Sequence, residues 1–347
     1  MGNAGDATGA VDRPRENGYN AGMSTLFQLD DEARGFAEDV RRGLGGRPKM
    51  LPPKYFYDAL GSQLFEAICQ LPWYPITRAE MGQLERHAGE MVAPFGDGLE
   101  LVELGSGSGE KLALLAREVQ GPGKELGIHL VDISEKALEL SRSTLARLPH
   151  VRVFTHRATY EEGLRAMAAE RRGGGARLVC FLGSNIGNFD PPAAEALLGE
   201  VQRDLRPGDG LLLGADLVRP EAELLLAYDD PLGVTAAFNK NVLLRINAEL
   251  GGDLDLGAFG HRAVWNAAAS RVEMHLVSRR RQTARVAAAG IEVSFAEGET
   301  IWTESSYKYT PEGITAMGCR VGLSVRRQWV EEHGSFSTTL FGVADAP

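Results

Sequence analysis

Apolar and polar positions follow two regimes along the chain. From Asp30, DDEARGFAEDVRRGL opens on acidic residues and closes on Arg and Gly, the termini of a helix. In LPPKYFYDALGSQLFEAICQLP a helical apolar spacing runs from Leu60 through Phe65 and Ile68 to Leu71, and a further helix is predicted over 78–93. The pattern changes at Leu99. LELVELGSGSGEKLALLAREV reads as buried strand, glycine turn and helix. Strands are then predicted at 127–134, 151–158, 177–188 and 211–218, with the helices EKALELSRSTLARL, YEEGLRAMAAERR and PPAAEALLGEVQRDL between them. Strands alternating with helices predict a parallel sheet covered on both faces. The alternation breaks over 219–310, where helical pieces (EAELLLAYDD, PLGVTAAFNKNVLLRINAEL) precede strand-like runs (RAVWNAAASRVEMHLVSRR, IEVSFAEGETIWTESSYKY). A last helix and two strands after Thr310 would complete the sheet begun at Leu99.

This reading gives an α/β fold with a second, discontinuous α+β unit. Residues 81–217 and 311–347 are expected to form a Rossmann-like core, and 25–80 with 218–310 the second unit. Residues 1–24 hold few large apolar side chains and are expected to be a disordered extension. The GGG at 173–175 reads as a surface turn.

Composition narrows the partners. Of the 347 residues, 44% are hydrophobic and 24% charged, ample for a core, and the net charge of −10 speaks against a broad basic face for nucleic acid or an anionic membrane. The basic run SRRRQTAR (278–285) is a solvated strand end in this reading. No apolar stretch approaches the roughly 18–20 residues of a spanning helix. Three scattered cysteines make no CxxC pair, and the seven histidines form no HxxxH or HxH, so neither a disulfide framework nor a metal centre is expected. The N-terminus lacks the apolar core of a signal peptide; cytoplasmic residence and a monomer are the expectations.

The chemistry concentrates in ELGSGSGEK (103–111). Glycines at a strand-to-helix turn let backbone approach a ligand, and the helix N-terminus adds amide donors. The dinucleotide spacing GxGxxG is broken by Glu110, which disfavours a nicotinamide oxidoreductase. What stands there is ExGxGxG: Glu103, Gly105, Gly107 and Gly109. It resembles the first motif of class I S-adenosylmethionine (SAM) methyltransferases. Asp132 at the end of the next strand can accept both ribose hydroxyls. The position after the following strand, where such enzymes often carry an acid for adenine, holds Thr159 and then Tyr160.

Longer strings are more specific. LPPKYFYD (51–58), LPWYPITRAE (71–80), FLGSNIGNF (181–189), LLLGADLV (211–218), AYDDPLGVTAAFNKNVL (227–243), RVEMHL (271–276) and TESSYKY (303–309) occur in this order. Together they resemble the histidine-specific SAM-dependent methyltransferase family, from about Asp31 to Val343. The resemblance implies three methyl transfers from SAM to the α-amine of L-histidine, giving the betaine hercynine for ergothioneine biosynthesis. It implies catalytic roles for Tyr57, near the reacting nitrogen, and for Asn188 and Tyr228, which would hold the amino-acid head group. Gly183 would line the path to the amine. Tyr74, Glu304 and Ser306 would grip the imidazole, with Met274 setting pocket size. Gly105, Lys111 and Asp132 fall to SAM, with Thr159 and Tyr160 as adenine neighbours.

Each residue also has a plainer reading: tyrosines filling a helix–sheet seam, a core methionine, a surface glutamate, an asparagine shaping a turn. Two other functions stay open at this point. One is Nα-methylation of another amino acid such as a tryptophan derivative, disfavoured by the acid at 304. The other is a silent SAM-binding partner, disfavoured by an intact glycine turn, Asp132 and Tyr57.

Overall fold

The computed structural model describes residues 31–119, 125–171 and 174–343, so the expected extension 1–24, Gly173 and residues 344–347 lie outside it. The chain opens with α1 (Asp31–Gly45), a short strand β1 (Lys49–Met50), a 3-10 turn at Pro53–Phe56, α2 (Ala59–Cys69) and α3 (Ile76–Val92). The alternating region follows as β2 (Glu100–Leu104), α4 (Glu110–Val119), β3 (Leu126–Asp132), α5 (Glu135–Leu145), β4 (Val151–Arg157), α6 (Tyr160–Glu170), β5 (Arg177–Phe181), α7 (Pro191–Asp204) and β6 (Gly210–Asp216). Next come α8 (Glu221–Tyr228), α9 (Val234–Leu250), β7 (Phe259–Asn266), β8 (Arg271–Ser278), β9 (Gln282–Val286), β10 (Ile291–Phe295) and β11 (Thr300–Tyr307). The described chain ends with α10 (Pro311–Arg320), β12 (Leu323–Val330) and β13 (Phe336–Val343).

The large sheet has seven strands in the order β12-β13-β6-β5-β2-β3-β4, with β13 antiparallel to both its neighbours and the other pairings parallel. This is the class I methyltransferase sheet expected from the glycine turn. Successive residues of a strand face opposite ways, and β2 shows the result: Leu101 joins Leu84, Leu112 and Leu138 on one face, while Val102 joins Leu164, Leu197 and Ile314 on the other. Helices α3–α5 thus cover one face, and α6, α7 and α10 the other.

The remaining elements build a second core around a sheet ordered β1-β11-β8-β7, with β9 and β10 paired as a separate ribbon. Phe36, Phe56, Phe238, Leu243, Met274 and Ile301 pack there. The basic run before β9 has Arg279, Arg280 and Arg281 exposed. The boundary drawn at residue 80 falls inside α3, whose Ile76 packs in the second core while Leu84 and Met91 pack under the large sheet. The strand expected over 177–188 stops at Phe181, because Gly183 (φ 76°) and Ser184 (φ 58°) turn left-handed and lead into a 3-10 turn at Asn185–Asn188.

Candidate active site

The glycine turn sits between β2 and α4 with Gly105, Gly107 and Gly109 all at positive φ (82°, 50° and 73°), backbone that an L side chain rarely adopts. A Cβ on Gly105 would lie 2.7 Å from Asn185 Nδ2 and 3.0 Å from the Tyr160 hydroxyl. The turn therefore needs glycine for closeness as well as for φ. Asp132 closes β3 beside it, its carboxylate accepting the amides of Ser106 (2.9 Å) and Ser134 (2.8 Å). Burial nonetheless moves the Asp132 carboxyl up, against those amides. Glu103 is buried, and its Oε2 has no hydrogen-bond partner among the described residues. A backbone cradle, a fixed carboxylate with lone pairs to spare and an unsatisfied buried oxygen suit a ligand carrying ribose hydroxyls and an ammonium group, as SAM does.

Tyr160 follows in α6, its ring edge-on to Phe181 at 5.3 Å. Thr159 is otherwise employed: its hydroxyl accepts the Glu162 amide (3.3 Å) and its amide donates to the Glu162 carboxylate (3.1 Å), a capping box for α6.

Next to this edge opens a cavity that is partly open to solvent. All eight substrate residues implied by the resemblance line it: Tyr57, Tyr74, Gly183, Asn188, Tyr228, Met274, Glu304 and Ser306. They converge from six places in the sequence. Tyr57 stands just before α2, where the Asp58 cap accepts from the Gly61 amide (2.6 Å) and from Asn241 of α9 (2.8 Å). Its ring is edge-on to Phe65 and Phe238, each at 5.7 Å. Tyr74 lies in the turn before α3, pinned by Arg78, which donates to the carbonyls of Leu71 and Pro72 at 2.7 Å. Burial pushes both phenols well above their ordinary values, so both stay protonated at neutral pH.

Glu304 and Ser306 reach the cavity because of a bulge. β11 pairs with β8 as Ile301–Leu276, then Glu304–Met274 and Ser306–Val272, with the register shifting between Trp302 and Glu304. Thr303 is buried as alternation from Ile301 requires, but unbroken alternation would then have turned Ser305 inward, leaving Glu304 and Ser306 on the outer face. The extra residue, Thr303, hydrogen-bonds the Met274 carbonyl (2.9 Å) and Asn239 (2.7 Å), and it switches Glu304 and Ser306 onto the buried face. Burial drives the Glu304 carboxyl up to about 7, against the pull of the Lys308 ammonium.

Two charged groups that the sequence reading did not single out underlie the site. Glu80, fully buried in α3, accepts the Gly183 amide with both oxygens (2.9 Å each) and pairs with Lys111 at 2.5 Å. Burial alone would lower Lys111, but the Glu80 charge more than reverses it. Lys308 lies under Tyr228 and Ser306, donating to the two hydroxyls at 2.8 and 2.9 Å, with Asp216 at 2.7 Å and Arg219 paired to that same carboxylate. Tyr228 donates to Ser306 at 2.8 Å. The single hydroxyl proton of Tyr228 is thus given to Ser306. The visible signal for this network was an aspartate, Asp216, inside the apolar run LLLGADLV.

The profile of the family described as histidine-specific methyltransferase, SAM-dependent, matches residues 36–343. Histidine N-alpha-methyltransferase of Mycolicibacterium smegmatis is 41% identical over 92% of this chain and 98% of its own length. The enzyme of that name from Mycobacterium tuberculosis is 42% identical with the same coverages. A 4-dimethylallyltryptophan N-methyltransferase of Epichloe festucae var. lolii is 27% identical over 84% of this chain and 90% of its own length. With a class I sheet, a glycine cradle and a profile match running from α1 to the last strand, the chain belongs to the histidine-specific, SAM-dependent methyltransferase family.

Proposed function

We propose that this chain transfers three methyl groups in succession from SAM to the α-amine of L-histidine, forming hercynine, the first step of ergothioneine biosynthesis. The observation that carries the reading is the cavity: eight residues separated by up to 249 positions line one space beside the glycine turn. SAM, when bound, supplies the methyl group and a sulfonium leaving group, so the protein's own part is mainly positioning. Gly105, Asp132 and Lys111 would hold it, with Tyr160 near the adenine.

Asn188 at the carboxyl edge of β5 holds the amino-acid head group, and Tyr228 at the end of α8, its own proton given to Ser306, offers that head group an acceptor lone pair. Tyr57, a neutral phenol at working pH, orients the amine or passes its proton to water. Glu304 accepts the imidazole N–H, a charge-assisted hydrogen bond that an apolar side chain cannot make. Met274, opposite Glu304 on β8 and 2% exposed, limits the width of the ring site. An indole would set its carbocycle against the acid, so the Glu304–Met274 pair favours histidine.

Incubation with SAM and each of the twenty amino acids, read by mass, tests this. Gains of one, two and three methyl units on histidine alone are expected. Methylation of tryptophan in its place, or of nothing, would overturn the assignment.

A further inference from the structure

Ser306 has one hydroxyl proton and two lone pairs. Tyr228 and Lys308 each donate to its oxygen, at 2.8 and 2.9 Å, so both lone pairs are filled from behind and the proton is left for the cavity. Lys308 can only donate, and it cannot turn away. Its ammonium is fully buried, it also donates to Tyr228, and it faces the Asp216 carboxylate at 2.7 Å, which Arg219 anchors from the other side. The other titratable group among the described residues that feels its charge is Glu304, four residues back on β11. Lys308 follows β11 directly, two residues after Ser306, and its ammonium reaches back to the Ser306 hydroxyl.

We propose that Lys308 is a positioning residue that sets the polarity of the side-chain pocket, making Ser306 an obligate donor opposite the acceptor Glu304. The inference rests on the reading of Glu304 and Ser306 as ring contacts. A pocket with one acceptor and one donor matches a ring with one N–H and one lone pair. Neutral imidazole has both. Imidazolium has two N–H groups, one of which would meet the Ser306 proton head-on. The pocket therefore selects the neutral ring. Removing Lys308 frees a lone pair on Ser306, which can then turn to accept an N–H.

The test compares kcat/KM for L-histidine with that for L-β-(1,2,4-triazol-3-yl)alanine, whose ring offers an N–H and a lone pair but stays neutral. The ratio cancels the α-amine, SAM and the enzyme groups common to both. In the parent it should fall roughly tenfold from about pH 7.5 to about 5.5, following protonation of imidazole. In Lys308→Met it should change less than about twofold over the same range, while Lys308→Arg, which keeps a donor, should restore the fall. SAM affinity by calorimetry and a melting curve confirm that each variant is folded. Should Lys308→Met not fold, Ser306→Ala replaces it, since loss of the donor must also flatten the ratio. A flat ratio in the parent, or an undiminished fall in Lys308→Met or Ser306→Ala, overturns the proposal while leaving histidine methylation standing. A parent that methylates neither compound overturns the functional reading as well.

Discussion

Replacing Glu304 with Gln should stabilise the free protein above neutral pH and impair it as an enzyme. Burial lifts this carboxyl from 4.5 to about 7. At about 1.4 kcal/mol for each tenfold change in proton affinity, holding the ionised form in the cavity costs the fold about 3 kcal/mol. The direction follows from where the proton resides. Below pH 4.5 the folded and unfolded chains are both protonated at this position and the penalty is absent. As pH rises toward 7 the unfolded chain ionises first, and the folded state loses stability progressively until the penalty is complete. Glutamine has the shape of the neutral acid and never ionises, so E304Q escapes the penalty. Urea unfolding of parent and variant at pH 5 and pH 8 measures it. E304Q should gain about 3 kcal/mol at pH 8, or roughly 5–10 °C in melting temperature, and little at pH 5. Its histidine KM should rise far more than its SAM KM, because an amide oxygen is a weaker acceptor than a carboxylate. A variant no more stable than the parent at pH 8, or equally stabilised at both pH values, refutes the reasoning.

Three further substitutions probe the glycine turn, the cap and the aromatic wall. Gly105→Ala puts a Cβ at positive φ, costing about 1–2 kcal/mol in backbone strain, and sets it against Asn185; SAM affinity by calorimetry should fall at least roughly tenfold, and unchanged affinity would remove the cradle from the cofactor site. Thr159→Ala should cost about 1 kcal/mol of stability through the lost cap with SAM affinity unchanged, whereas a large drop in affinity would return Thr159 to the adenine. Phe238→Ala, which removes the ring between Phe56 and Tyr57, should cost about 3–5 kcal/mol in denaturant and raise the histidine KM; a stable variant with parental KM would show that Tyr57 needs no such support.

The core was legible where a local signal sufficed. The run LVEL before ExGxGxG is buried strand followed by obligatory positive-φ glycine, and neither depends on distant residues. The candidate site was legible chiefly through the seven strings, because its members meet only in three dimensions. Spacing alone could not have paired Tyr57 with Glu304. The bulge at Thr303 was hidden for a sharper reason: period-two alternation predicts Ser305 inward and Glu304 and Ser306 outward, and one extra residue reverses the faces beyond Thr303 with no signal in composition. Glu80 and Lys308 were hidden because a charge in a half-polar segment reads as solvated. Their partners, Gly183 and Tyr228, lie 103 and 80 residues away. Thr159 carries a role the sequence did not suggest, since its hydroxyl and amide build the capping box of α6.

The buried charges explain why the site lies where the two cores meet. A lone ammonium or carboxylate inside protein costs several kcal/mol unless it is paired and hydrogen-bonded. Lys308 comes from the residue just after β11 of the smaller sheet, and Asp216 from the end of β6 in the larger one. Glu80 comes from the helix that packs in both cores, and Lys111 from the first turn after the glycines. The backbone ties the same places together: Leu217 bridges Tyr309 as a parallel pair, and the 3-10 turn reaches β11 so closely that a Cβ on Gly187 would lie 2.8 Å from the Tyr307 carbonyl. Asp216 has Arg219 three residues along its own segment, but Lys308 meets its counter-charge only when the sheets dock, and docking brings Ser306 and Tyr228 onto the ammonium that orders them. The polar pairs that join the two cores are thus the ones that give the cavity its donors and acceptors. A substitution that loosens the seam should therefore be felt first as lost discrimination among substrates, before it is felt as unfolding.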